Sequence, residues 1–308
     1  MDKEVRRIIA DIKSLKIQGA RNVAKESLNA LIIEAKGDHV AKPSCLVTNV
    51  ALAASSLAKS RPTEPMMRNL LGESVAFLKS EHAKKQSAPE LKKAFISHVN
   101  DSIARMEEDA KKLASYGAKL IPDGALVLTH CHSSSSTKIL IQAKKMRKKF
   151  SVVCFETRPR FQGRKTAAEL AKAGIDVTLT VDGAMNLFMK KADIVFVGAD
   201  SVTSRGDLIN KIGTSTLAHI ARMNDVSFYS AAELAKYSPM TMHGEREKIE
   251  ERDPKEVWDR PPRGLKIRNP AFEATASKYI NGYVTEMGVI PPESFFSMAG
   301  RKLGIRME

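Results

Sequence analysis

Cysteine is scarce: Cys45, Cys131 and Cys154 are the only three in 308 residues. Three thiols cannot build a disulfide framework, and these have no metal-ligand spacing among them. No window approaches the ~18 consecutive apolar residues of a membrane span. The start MDKEVRR is charged and lacks an apolar stretch, so no secretory leader is expected there. These absences lead us to expect a soluble protein of the reducing cytoplasm. There is no G-x-G-x-x-G and no Walker A pattern, so dinucleotide and P-loop readings lack their main support. Acidic residues are few: 35 Asp and Glu stand against 50 Lys and Arg, a formal charge of +15. That balance excludes an acidic disordered tail and favours an anionic partner or substrate. Hydrophobic residues make up 43% of the chain, enough for a sizeable core in one or two domains.

The first third carries a helical pattern. Val5, Ile8, Ile9, Ile12 and Leu15 recur at helical spacing, and Gly19 breaks the run. Further helices are expected through Leu28 and Ile32, from Val47 to Leu57, through Met66 to Leu78, and through Leu91 to Met106. The third should stop before Arg61-Pro62, because the residue preceding proline is pushed out of the α region. After about residue 124 the pattern switches. Short Val- and Ile-rich runs at 125–128, 152–155, 177–181, 194–197 and 226–229 alternate with helical stretches at 138–149, 167–173, 184–190 and 215–223. Near-continuous apolar strands between helices predict an α/β fold, a Rossmann-like, mostly parallel sheet with helices on both faces. The expected division is a helical N-terminal domain over 1–121 and an α/β catalytic domain over 122–308. A polar, charged insertion at 241–264 precedes the C-terminal tail.

In such sheets ligands bind beyond the carboxyl ends of the strands. The first strand is followed by Thr129-His130-Cys131-His132 and then Ser133, Ser134, Ser135 and Ser136. Free N–H groups and serine hydroxyls at a helix start make a phosphate cradle. A cysteine just before that helix feels its positive end, which predicts a lowered thiol pKa. Cys45 and Cys154 lie inside apolar runs and read as packing. If the strand persists, His130 and His132 point to the face opposite Cys131; no further metal ligands are evident, and neither metal nor cofactor is expected. The second strand ends in Glu156-Thr157-Arg158-Pro159, where a guanidinium fork suits phosphate, with Arg158 the better placed of the loop's arginines. The fourth ends in Gly198-Ala199-Asp200, a carboxyl expected to be partly desolvated. Asn210-Lys211-Ile212-Gly213-Thr214 then leads to another helix start suited to an anion or polyol. A thiol, a carboxyl and two phosphate-friendly helix starts on one sheet edge suit proton transfer on a phosphorylated sugar. They suit hydrolysis less well, since no base-orienting third member is apparent.

These segments, with Gly19-Ala20-Arg21, Glu250-Glu251-Arg252-Asp253-Pro254 and Asn269-Pro270-Ala271-Phe272, resemble the signature of one superfamily over nearly the whole chain. It contains ribose-1,5-bisphosphate isomerase, methylthioribose-1-phosphate isomerase and the regulatory subunits of translation initiation factor 2B. The resemblance implies a catalytic pair at Cys131 and Asp200, and substrate-binding positions at Gly19, Ala20, Arg21, Arg61, Ser133, Ser134, Ser135, Asn210, Lys211 and Lys236. The initiation-factor subunits usually lack the cysteine, so Cys131 favours an enzyme, and its context looks most like the archaeal bisphosphate isomerases. Lys236 matches by position but in altered surroundings, Glu233-Leu234-Ala235-Lys236-Tyr237, and Thr275-Ala276-Ser277 replaces the usual Thr-Pro-Pro.

The implied reaction moves a hydrogen from C2 to C1 of ribose 1,5-bisphosphate as the ring opens. Cys131 thiolate is expected as the base at C2, and protonated Asp200 as the donor to the ring oxygen or at C1. The alternatives are methylthioribose-1-phosphate isomerase, which needs an apolar slot in place of a second phosphate site, and a non-catalytic regulatory subunit. The resemblance also implies homodimers that can assemble into hexamers, and it raises a nucleotide activator such as AMP. Ten Lys and Arg fall between 138 and 165 against the single acid Glu156, an excess able to steer an anionic sugar into the cleft. No aromatic platform accompanies those cations, which leaves nucleic acid a minor alternative.

Overall fold

The computed structural model describes residues 1–37 and 42–304. The chain forms two compact units, Met1–Glu108 and Asp109–Glu308.

The first unit is helical. α1 (Lys3–Lys13) starts where the Asp2 carboxylate accepts the Glu4 N–H, and it buries Val5, Ile8 and Ile12. α2 (Ala20–Lys36) follows Gly19, whose φ of +83° suits glycine. α3 (Pro43–Ser60) and α4 (Pro65–Ala83) each open with proline in the first turn, where no N–H is missed. α3 stops at Ser60, before Arg61-Pro62, as expected. α5 (Ala88–Leu120) is longer than the apolar repeat suggested, and the boundary between the units falls within it.

The second unit is built on a parallel sheet. Its elements are β1 (Ala125–His130), α6 (Ser134–Lys145), β2 (Phe150–Phe155), α7 (Gln162–Lys172), β3 (Asp176–Thr180), α8 (Met185–Met189) and β4 (Ile194–Gly198). They continue with β5 (Ser201–Val202), β6 (Leu208–Lys211), α9 (Thr214–Met223), β7 (Ser227–Ala231), β8 (Phe272–Thr275), β9 (Gly282–Thr285), β10 (Gly288–Ile290) and α10 (Phe295–Leu303). The main sheet has the order β10-β9-β7-β4-β1-β2-β3, parallel except for β10. Successive strand residues enter opposite cores, as the two-residue period requires. Val127, Val152, Ile194 and Phe196 pack with Ile139 and Leu140 of α6 and Leu170 of α7. Leu128, Val153, Val195 and Val197 pack with Leu217 of α9 and Phe295 of α10. Both faces are covered, which is why these strands read as unbroken apolar runs.

β2 and β3 build outwards from one side of β1, while β4, β7 and β9 build outwards from the other. The strand order therefore reverses between β1 and β4, and a crevice at their carboxyl ends is where ligands settle in this architecture. A small antiparallel sheet, β5-β6-β8, follows β4 in the chain and carries Asn210 and Lys211. The tail is not a mere appendage: β9 and β10 complete the main sheet. The charged stretch from 244 to 271 is irregular apart from a three-residue turn and one bridge, Glu251 with Pro270. Among the described residues no helix is long and apolar enough to cross a membrane, and no cluster of three or more His, Cys, Asp or Glu could hold a metal ion.

Candidate active site

β1 ends at His130 because Cys131 adopts a left-handed φ of +66°. That conformation is uncommon for a residue with a Cβ, and here it is held on both sides. The Cys131 N–H donates to Thr157 Oγ1 at 2.8 Å, and the Cys131 carbonyl accepts from Thr166 Oγ1 at 2.8 Å. Thr157 is in turn anchored by its N–H to Asp182 Oδ1 at 2.8 Å. The strand thus does not persist through Cys131, and the alternation expected for His130 and His132 does not apply. His130 is buried beside Asp182, and burial pushes its imidazole down to about 4, with Lys211 adding to the effect. His132 lies 3.0 Å from Thr166 Oγ1 through Nδ1, and burial also lowers it to about 4. Thr166 has one hydroxyl proton, which goes to the Cys131 carbonyl, so His132 Nδ1 is the donor in that pair.

The thiol behaves differently from the expectation of a thiolate. Burial pushes Cys131 up to about 11. Lys211, the His132 N–H and Arg252 pull the other way, and the Asp200 charge reinforces the rise. Desolvation is the largest of these effects and outweighs the opposing ones, which favours the neutral thiol. The same data place Asp200, Lys211 and Arg252 within electrostatic reach of the sulfur. Cys154 is buried in the core and pushed up to about 12, as a packing cysteine should be.

Asp200 reaches this place through β4, which pairs with β1 in the register Thr129 to Phe196. Its N–H donates to Ile209 O at 3.0 Å, which turns the chain from the main sheet into the small one. Gly198 leaves room for a neighbouring side chain here. A Cβ at that position would lie 2.4 Å from Ser133 Cβ and 2.5 Å from Ser133 Oγ. The missing side chain lets the start of α6 rest on the end of β4.

Ser133 caps α6, its hydroxyl accepting the Ser136 N–H at 3.3 Å. Two residues further, Ser135 Oγ donates to Glu233 Oε1 at 3.0 Å, and Lys236 Nζ lies 2.9 Å from Glu233 Oε2. Ser135, Glu233 and Lys236 are all buried. Behind them stands a second buried acid, Glu286, ion-paired with Lys302 and raised by burial. Glu233 escaped the sequence reading because its role comes from pairing with residues far away in the chain.

The second helix start is occupied. Asn210 Nδ2 donates to Thr214 Oγ1 at 3.0 Å, and Thr214 Oγ1 donates to Lys211 O at 2.6 Å. The N–H groups of Gly213 and Ser215, however, both reach Glu273 Oε1, at 2.6 Å and 2.9 Å. A carboxylate from β8 already fills the anion position that the sequence suggested for a substrate phosphate. Lys211 itself stays in the site, with Nζ 4.7 Å from the centre of the Phe272 ring.

Arg158 is exposed, and its guanidinium donates to Val257 O at 2.9 Å. That contact ties the arginine to the irregular segment near 257 through one of its five N–H donors. Gly19, Ala20, Arg21 and Arg61 belong to the first unit. There Arg21 donates to Met106 O at 2.8 Å and pairs with Glu107 at 3.0 Å, and Arg61 pairs with Glu64 at 3.3 Å.

Comparison with known proteins adds to this geometry. Residues 16–292 match the initiation factor 2 subunit family. The ribose 1,5-bisphosphate isomerase of Archaeoglobus fulgidus is 36% identical over 98% of this chain and 94% of its own. That of Methanocaldococcus jannaschii is 38% identical over 95% of this chain and 93% of its own. Among solved structures, the translation initiation factor eIF-2B of Pyrococcus horikoshii OT3 superposes with a TM-score of 0.81 at 31% identity, over 95% of this chain and 98% of that one.

Proposed function

Because the chain belongs to the initiation factor 2 subunit family, we propose that it is an aldose–ketose isomerase converting ribose 1,5-bisphosphate to ribulose 1,5-bisphosphate. The observation that carries this reading is the meeting of Cys131 and Asp200 beyond β1 and β4, beside Lys211. A thiol and a carboxylate at a strand-order reversal are an acid–base pair, and a translation-factor contact would leave both idle. The similarity to isomerases named for this substrate supports the choice of sugar.

The resting proton on sulfur reverses the roles first expected. Asp200 takes the C2 proton, and the C–H electron pair becomes the C1–C2 double bond as the bond from C1 to the ring oxygen breaks. The Cys131 thiol gives its proton to that oxygen. Asp200 then returns its proton to C1, while the thiolate takes the C2 hydroxyl proton and leaves a ketone. Both groups end as they began. Ser133, Ser134, Ser135, Asn210, Lys211 and Lys236 are the binding residues of this reading. Gly19, Ala20, Arg21, Arg61 and Arg158 are assigned on resemblance or residue type alone. A cytoplasmic homo-oligomer, dimer or hexamer, that is open to a nucleotide activator and acts in nucleoside monophosphate breakdown completes the proposal.

The test is turnover of ribose 1,5-bisphosphate by the purified protein, with methylthioribose 1-phosphate as the control. Ribulose 1,5-bisphosphate should form at a rate within the usual enzymatic range of roughly 1–1000 per second. Faster turnover of the control, or none of either sugar, overturns the reading.

A further inference from the structure

Asp182 follows β3 and opens the turn before α8, and the mechanism above gives it no role. Its carboxylate takes two successive backbone N–H groups of the turn after β2. Thr157 N–H donates to Oδ1 at 2.8 Å, and Arg158 N–H to Oδ2 at 2.7 Å. Thr157 passes the hold on, because its Oγ1 accepts the Cys131 N–H at 2.8 Å and donates to Phe155 O at 3.1 Å. From the other direction His130, the residue before the thiol, brings Nε2 to 3.7 Å from Oδ1. The Asp182 side chain is 28% exposed, whereas Thr157 and His130 are buried, so its contribution is these contacts and not the filling of a core.

Cys131 and Thr157 both stand in the left-handed region, at φ +66° and +65°. L side chains hold such backbone only where the surroundings fix it. The two residues are joined by one hydrogen bond, and Asp182 binds the second directly and faces the residue before the first. A carboxylate that accepts two successive N–H groups on separate oxygens orients Thr157, and with it the hydroxyl that receives the Cys131 N–H. We propose that Asp182 is a positioning residue for the Cys131 thiol, acting through Thr157 to set where the sulfur stands. That the sulfur moves protons on a sugar rests on the isomerase reading, whereas the hold on its turn does not.

The experiment follows alkylation of Cys131 and Cys154 by iodoacetamide in one sample, read on their peptides by mass spectrometry. Cys154 lies on β2 and is fully buried, so it reports any general loosening of the sheet. In Asp182→Asn one N–H meets an amide nitrogen in place of an oxygen. Water should then reach the turn and relieve the burial that holds the thiol protonated, so that Cys131 alkylates about tenfold faster. Cys154 should keep its wild-type rate. Thr157→Val removes the acceptor of the Cys131 N–H and should match Asp182→Asn, whereas Thr157→Ser keeps it and should match the wild type. Asp182→Asn combined with Thr157→Val should be no faster than Thr157→Val alone. An unchanged Cys131 rate, equal acceleration at Cys154, or additive effects in the double variant overturns the proposal. Turnover separates the two readings. If the wild type isomerises ribose 1,5-bisphosphate, Asp182→Asn should lower kcat about 10- to 100-fold with KM nearly unchanged, the pattern of a misplaced reacting group. An unchanged kcat, or a loss confined to KM, counts against the aspartate. If the wild type turns over no sugar but the alkylation pattern holds, the isomerase reading fails and the positioning of the thiol stands.

Discussion

The two helix starts of the second unit, those of α6 and α9, look alike in sequence and differ in structure. Ser133 to Ser136 open α6, and Gly213 to Ser215 open α9, each just past a strand and each rich in small, hydroxyl-bearing residues. At α6 the cap is local: Ser133 takes the Ser136 N–H, and its neighbour Ser135 is turned towards Glu233. At α9 the cap is remote, because Glu273 arrives from β8 and takes two N–H groups. A helix N-terminus attracts anions through its unpaired N–H groups and its dipole. Whether it can hold a ligand depends on whether the fold has already supplied a carboxylate. On this comparison the start of α9 is filled by the protein's own carboxylate, whereas the start of α6 is the one the proposed function assigns to substrate.

The largest effect should come from the chemistry placed before α6. Cys131→Ser and Asp200→Asn should each cut turnover by about 100- to 10,000-fold, the range for loss of a general acid or base. Binding of the bisphosphate, measured by calorimetry, should survive in both. Turnover within a few-fold of the wild type in either variant would remove that residue from the acid–base pair.

The next effect concerns His130, which stands between the two helix starts. It ends β1, and its Nε2 would lie 3.0 Å from a Cβ built on Gly213, the residue before α9. Protonation would put a buried cation near the positive end of α9. The folded imidazole titrates at about 4 against an ordinary 6.5, so between these values the unfolded chain binds a proton that the folded chain does not. Stability is complete above pH 6.5 and falls as the pH is lowered towards 4, by at most about 3 kcal/mol from this group. Urea midpoints across that window should drop on acidification, and His130→Asn should flatten the slope. An equal slope in the variant would place the acid sensitivity elsewhere, His132 being the first alternative.

A smaller loss is expected where α6 rests on β4. Gly198→Ala forces a methyl group against Ser133 and should cost about 1–3 kcal/mol, the usual range for overpacking. Thermal unfolding reads the loss, and turnover should fall with it because the cap carries the loop of Cys131. Ser133→Gly in the same chain removes the atoms in collision, and glycine at a helix cap costs only a few tenths of a kcal/mol. The double variant should therefore regain most of the stability. Simple addition of the two losses would show that the contact is not where the strain lies.

How legible these features are depends on the range of the interactions that make them. β1, β2, β4 and β7 are readable because a strand covered on both faces is an apolar run, β3 is an exposed edge strand read from its β-branched residues, and the helices between them follow from their period. β9 and β10 are not: Gly282-Tyr283-Val284-Thr285 is short and half polar, and it becomes a strand only by adding to an edge already built by β7. The positions of Cys131 and Asp200 are local facts, one step beyond apolar runs. The direction of the thiol titration is not local, since burial decides it and burial is supplied by the whole unit. Glu273 was invisible for a related reason, and Glu233 and Arg252, although they stand within family-like segments, carried no role of their own there. Each is one charged residue among many until distant strands bring it to a partner.

The smallest effect is the one that would break the comparison itself. Glu273→Gln keeps the shape of the side chain and removes the charge that fills the start of α9. The amide oxygen can still accept from Gly213 and Ser215, so the loss should be about 1 kcal/mol, the difference between a charged and a neutral cap near a helix dipole. With the carboxylate gone, the α9 start becomes what its sequence suggested, a cluster of N–H groups beside Lys211 without a resident anion. Inorganic phosphate should then raise the melting temperature of Glu273→Gln more than that of the wild type. Equal responses would mean that the carboxylate is not what keeps anions from α9. The two helix starts would then differ for another reason, the closeness of Gly213 to His130 being the next to examine.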